Sequence, residues 1–192
     1  ITISEAQYDA ARARVREAGL EDRVEIALTD YRDTEGTYDR IVSIEMIEAV
    51  GEAWWTTYFR QLHDRLEAGG RAVLQAITMD DALFPSYRRG VDFIQRYIFP
   101  GGMLPTREHL GHLAQDAGLR VQATHRLGLH YAETLRLWHE RFNACREQLQ
   151  ALGFDEAFMR MWRYYLGYCE AGFRTGRIDL VQITLERPEA PA

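Results

Sequence analysis

DRIVSIEMIEAVG, residues 39–51, is apolar from Ile41 to Ile44 and then ends in two carboxylates, Glu45 and Glu48. A buried strand that delivers acid groups at its C-terminal end is how open α/β sheets build their sites. The glycine-rich loop expected before such a strand is absent. The chain opens ITIS, without Met, which reads as a beginning that was processed, removed or left out.

Helix and strand patterns alternate on either side of this stretch. Ser4 is an N-cap, with Gln7 as its capping-box partner, for a helix that ends at Gly19. Residues 24–28 alternate as a strand does, and residues 38–44 form the next strand. Trp55, Tyr58, Phe59, Leu62 and Leu66 share one face of a helix that Gly69 and Gly70 should end. A third strand spans 71–77. Residues 78–105 hold three of the five prolines and read as an insertion over the strand ends. Thr106 caps a further helix, closed by Gly118, and LRVQATHRL is the next strand. Two long helical patterns, 131–151 and 155–174, form an excursion within about 130–176. The last strand is 179–185, and RPEAPA is a frayed tail. The alternation predicts one α/β domain over 1–192, with a parallel-type sheet covered by helices on both faces.

Composition limits the function. With 46% hydrophobic and 27% charged residues the chain is an ordinary globular one. Its net charge of −6 argues against nucleic acid, whose phosphates need a basic face. No segment approaches the roughly 20 apolar residues of a membrane span. Cys145 and Cys169 lie in helical patterns as buried free thiols, which fits a reducing compartment. His109 and His112 have metal-ligand spacing but no third ligand, so no metal is expected. Arg88 and Arg89, beside Tyr87 and Phe93, suit either a solvated turn or anionic headgroups.

Glu48, past Met46 and Ile47, reads either as a general base or as a carboxylate matched to the start of a helix. Asp30, in LTDYRD, reads either as a nucleotide acceptor or as a turn aspartate. Met159, Trp162, Tyr165, Leu166 and Cys169 form a wide apolar stripe, suited to core packing or to lining an apolar tunnel.

LTDYRD (28–33), DRIVSIEMIEAVG, YIFPGGMLP (97–105), HYAETLRLWHERF (130–142) and FMRMWRYYLGYCEAGFR (158–174) together resemble the cyclopropane-fatty-acyl-phospholipid synthase family. The order and spacing match along nearly the whole chain. The resemblance implies a Rossmann-like methyltransferase sheet with an added helical region that binds the acyl chain. In this alignment the sheet is incomplete, because its first strands, the cofactor loop and an active-site cysteine lie upstream of Ile1. A free edge on the 39–44 strand should then keep these 192 residues from folding stably alone. The implied reaction is methyl or methylene transfer from S-adenosylmethionine to the double bond of a phospholipid acyl chain. The product is a cyclopropane or a methyl-branched chain. Small-amine N-methylation, as in plant alkaloid N-methyltransferases, and a non-catalytic lipid-binding subunit remain the alternatives.

Carried over by position, Thr2, Ile3, Ser4 and Gln7 would touch the methionine or ribose part of the cofactor, and Asp30, Tyr31 and Arg32 the adenine. Glu48 and Tyr131 would hold a bicarbonate ion that acts as base, with Gln75 at a histidine position and Ile77 supplying a backbone amide. Gln75 departs from the family pattern because it cannot titrate. Ala49 also departs, standing where the family often has histidine. The resemblance further implies a homodimer and a cytoplasmic protein peripheral to the inner membrane face.

Overall fold

The computed structural model describes residues 1–189. Residues 190–192 of the expected tail lie outside them. Four strands, β1 (Tyr38–Ile44), β2 (Leu66–Met79), β3 (Arg120–Arg126) and β4 (Ile178–Glu186), form one sheet in the order β1-β2-β4-β3. β1 and β2 are parallel, while β4 runs antiparallel to both of its neighbours. The sheet is therefore mixed, which corrects the parallel-type expectation. The cause is the helical pair α7 (Gly128–Ala144) and α9 (Glu156–Arg174) between β3 and β4. An antiparallel helix pair returns the chain to the end where β3 finished, so β4 must run back. The pattern expected at 131–151 divides, with α8 (Arg146–Ala151) following Cys145.

Alternation along β2 sends side chains to two cores. On one face Leu66, Ala72, Leu74 and Ala76 pack with Val181, Ile183 and Leu185. They meet Trp55, Tyr58, Phe59 and Leu62 of α3 (Trp55–Arg65) and Leu110 and Ala114 of α6 (Arg107–Asp116). Phe59 is fully buried there, and truncating such a ring to alanine costs about 3–5 kcal/mol. On the other face Ala132 and Leu135 of α7, Leu166 and Phe173 of α9 and Leu180 of β4 form a second cluster around Ile77.

Three expectations fail for local reasons. Residues 24–28 form no strand: only an isolated bridge joins Thr2 to Leu28, since no partner strand lies alongside among the described residues. Gly69 and Gly70 do not end α3, which stops at Arg65. They sit inside β2, where the pairing jumps from Tyr38↔Leu66 to Arg40↔Arg71. A Cβ on Gly70 would lie 2.8 Å from the Glu67 carbonyl oxygen, so the bulge needs glycine there. Ser4 does cap α1 (Glu5–Glu17), but the Gln7 carboxamide turns to the Thr2 hydroxyl and completes no capping box.

β1 is an edge strand with Val42 and Ile44 exposed, and α1 buries none of its residues. The insertion after β2 carries α4 (Phe84–Tyr87) and α5 (Phe93–Tyr97) and returns when Met103 N–H donates to the Glu48 carbonyl at 2.9 Å.

Candidate active site

The site lies where β1 and β2 end. β1 runs into Glu45, the one non-glycine residue with positive φ, +50°, among those described. This left-handed step turns the chain into the short helix α2 (Ile47–Val50). Ile47 is buried, and its carbonyl accepts a hydrogen bond from Trp55 Nε1 at 3.3 Å. The turn sets Glu45 and Glu48 one helical step apart at the sheet end.

Glu48 Oε1 accepts from the Ile77 N–H at 2.6 Å. Its Oε2 is buried without a partner. Burial pushes the Glu48 carboxyl up to about 7, against the lowering effect of the Ile77 amide, and the neighbouring Glu45 charge adds to the rise. A carboxylate poised near neutrality suits proton transfer.

Glu45 is at the centre of a second set of hydrogen bonds. Gln75 Nε2 donates to its Oε1 at 2.8 Å, and the Tyr131 hydroxyl donates to its Oε2 at 3.3 Å. Gln75 is in turn oriented by Gln182, whose Nε2 donates to Gln75 Oε1 at 2.9 Å. The Tyr131 hydroxyl thus bonds directly to Glu45 and not to Glu48, the residue expected to share an anion with it. The sequence marks Glu45 only as one of two carboxylates at the strand end and does not mark Gln182. The strand alternation of LVQIT does place Gln182 opposite Gln75, but only strand pairing shows that they meet.

Tyr131 is positioned from below. Leu127 N–H donates to the Leu180 carbonyl at 2.7 Å, and Gly128 N–H to Asp179 Oδ1 at 3.0 Å, fixing the first turn of α7 to β4. The Tyr131 ring packs edge-on against Phe173 at 5.0 Å. Burial, then the Glu45 charge, holds its hydroxyl well above the usual tyrosine range. Tyr165 and Cys169 stand beside it on α9, each pushed up to about 12 chiefly by burial. The wall facing the carboxylates is therefore aromatic, and its groups stay neutral. Both cysteines are free thiols, as expected, but they are only partly buried.

The residues expected to hold a cofactor fall into a second group. Thr2 pairs through its backbone with Ala27 and Thr29, which joins the ITIS segment to LTDYRD. Thr2 Oγ1 also accepts from Ser4 N–H, and Ile3 is 78% exposed. Asp30 takes both side-chain bonds of Arg32, which hold its carboxyl down at about 2. Arg32 lies over the Trp54 ring at 5.2 Å. Gln61 of α3 clamps the turn by donating to the Tyr31 and Arg32 carbonyls, and the Tyr31 hydroxyl is buried without a partner. His109 is spent on capping α6 from Thr106 and packs against Phe84. Arg88 pairs with Glu52. Among the described residues no helix is long and apolar enough to cross a membrane.

The sequence pattern described as mycolic acid cyclopropane synthetase matches residues 1–183. The chain belongs to this family. Tuberculostearic acid methyltransferase of Mycobacterium tuberculosis is 50% identical over 192 residues, which is all of this chain and 45% of that protein. The cyclopropane-fatty-acyl-phospholipid synthase of Escherichia coli is 35% identical over 188 residues, 97% of this chain and 46% of that one. The crystal structure of mycolic acid cyclopropane synthase CmaA1 complexed with SAH and CTAB superposes with a TM-score of 0.82 at 30% identity, covering 96% of this chain and 68% of that one. This cyclopropane synthetase family member thus spans about half the length of these curated relatives. Its fold is the Rossmann-like sheet of S-adenosylmethionine-dependent methyltransferases, with α7 and α9 added on one face.

Proposed function

We propose that this chain is the part of an S-adenosylmethionine-dependent methyltransferase that carries the proton-accepting site and the acyl-chain wall. Its substrate is the double bond of an unsaturated phospholipid acyl chain. The observation that carries the reading is the juxtaposition of Glu45 and Glu48 with the aromatic wall of Tyr131, Tyr165 and Phe173. An alkene is a weak nucleophile, and methylation leaves a cation in the chain. Catalysis therefore needs a dry apolar wall, fixed negative charge near the cation and a base about 3 Å from the leaving proton. Glu48, held by the Ile77 amide, supplies negative charge in its ionised form, which prevails above about 7. Loss of a proton from the new methyl closes a cyclopropane, and loss from a neighbouring carbon gives a branched alkene.

Bound S-adenosylmethionine supplies the electrophilic methyl group. Thr2, Ile3, Ser4, Gln7, Asp30, Tyr31 and Arg32 fit such a ligand, since the buried Tyr31 hydroxyl still lacks a partner and Asp30 Oδ2, which takes a single Arg32 bond, keeps room for another donor at the end of the Thr2-bridged segment. The bicarbonate ion implied by the resemblance does not fit. Gln75 Nε2 and the Tyr131 hydroxyl, its donors, already hold Glu45, and two carboxylates would face it.

The exposed edge of β1, with Val42 and Ile44 bare, supports pairing with further strands of a longer polypeptide. Peripheral membrane contact at the inner face follows from a phospholipid substrate, and a homodimer from the resemblance. The experiment is transfer of labelled methyl by the full-length protein to vesicles of monounsaturated phospholipid. Label in the lipid is expected. Unlabelled lipid alongside a methylated small amine would overturn the reading.

A further inference from the structure

Glu45 adopts φ +50° without being glycine, a conformation that L side chains enter only at a steric cost. The strain is repaid by contacts that all lie at the site. The Glu45 N–H donates to the Gln75 carbonyl at 2.8 Å, and its carboxylate takes Gln75 Nε2 on one oxygen and the Tyr131 hydroxyl on the other. Gln75 has one orientation that satisfies both of its neighbours. Its oxygen accepts from Gln182 at 2.9 Å, so its amino group must face Glu45. A carboxylate has the shape and acceptors of a small oxyanion, and these donors are the ones such an ion would use.

From this we infer that Glu45 is an internal replacement for an exogenous anion, and that it takes the proton released by the methylated acyl chain. Gln182 is the positioning residue that aims Gln75 at it. The inference rests on the methyl-transfer reading above. In the step, the alkene's π pair forms the new carbon–carbon bond to the methyl, and the carbon–sulfur pair stays with sulfur. The adjacent carbon becomes cationic. Glu45 Oε then accepts a proton from the chain, whose carbon–hydrogen pair closes the ring or forms a new double bond. The resulting carboxylic acid loses its proton to water once the product has left. Glu48 keeps its place on the Ile77 amide throughout.

The test uses the full-length protein, its Glu45→Gly and Glu45→Gln variants, and bicarbonate as the probe. Glycine takes φ near +50° freely, so the first variant keeps the fold. Two readouts are made: binding of carbon-13-labelled bicarbonate followed by NMR, and methyl transfer to monounsaturated vesicles in bicarbonate-depleted and bicarbonate-supplied buffer. The parent protein should bind no bicarbonate and change its rate less than about twofold on depletion, whereas loss of a general base costs about 100-fold or more. Glu45→Gly should bind the ion, lose about 100-fold in depleted buffer and recover when it is supplied. Glu45→Gln should lose turnover in both buffers and still exclude the ion. Bicarbonate binding by the parent protein, its inactivation on depletion, or full activity of Glu45→Gln would overturn the inference. If no protein methylates lipid at all, the methyl-transfer reading fails, and the binding readout still decides whether Glu45 fills the anion's place.

Discussion

Gln75 and Gln182 face each other across the β2–β4 ladder, and the carboxamide of the second holds that of the first at 2.9 Å. The pairing fixes which end of Gln75 is a donor, which a lone glutamine at this place would leave free to flip. Gln182→Leu should let Gln75 turn its oxygen toward Glu45, where two acceptors repel. Turnover should fall about tenfold for the loss of one oriented hydrogen bond, with S-adenosylmethionine affinity unchanged. Steady-state kinetics with calorimetric cofactor binding checks this, and an equal loss in both quantities would show general damage.

The start of α7 offers a test of how Tyr131 is positioned. A Cβ on Gly128 would lie 2.5 Å from Asp179 Oδ1, and that carboxylate also holds Arg126. Gly128→Ala must push Asp179 aside and break both bonds. Overpacking of this kind costs about 1–3 kcal/mol. Thermal unfolding should show the loss, and turnover should fall further than stability alone explains, because Tyr131 moves with its helix.

Residues 39–51 revealed the strand, the turn and both carboxylates, because an apolar run followed by acid leaves few other structures. Cover of the sheet on both faces also followed, from the alternation of helices and strands along the chain. The direction of β4 did not, since periodicity says how a strand is buried but not which way it runs. Nor did the Gln182–Gln75–Glu45–Tyr131 chain, whose successive members lie 30 to 107 residues apart. Contacts of that separation come from register alone. The strand expected at 24–28 failed for the complementary reason: its pattern was sound, but a ladder partner was wanting among the described residues.

Asp30 tests the cofactor side separately from the chemistry. Its carboxylate orders Arg32, and Arg32 covers Trp54. Asp30→Ala should release both and weaken S-adenosylmethionine binding about tenfold, the size of one charge-assisted hydrogen bond. Bicarbonate exclusion by Glu45 should be untouched. Calorimetry on the full-length protein reads the first and NMR the second.

Glu48 makes stability depend on pH in a direction opposite to most carboxylates. Its folded value of about 7 lies above the ordinary 4.5. The folded state therefore binds the proton more tightly than the unfolded one, so the contribution is complete below about 4.5 and lost as pH rises through about 7. The difference of some 2.5 units between those two values corresponds to about 3 kcal/mol. Glu48→Gln cannot ionise and should keep its stability across this window. Denaturant unfolding at pH near 5 and near 8 should show the variant gaining on the parent protein by up to about 3 kcal/mol at the higher value. Equal pH slopes for the two proteins would mean that Glu48 is solvated as freely in the fold as out of it. The same variant removes the negative charge that ionised Glu48 places beside the acyl cation. It should therefore be the more stable protein at alkaline pH and the slower enzyme, by about 100-fold, and that combination separates a functional carboxylate from a structural one.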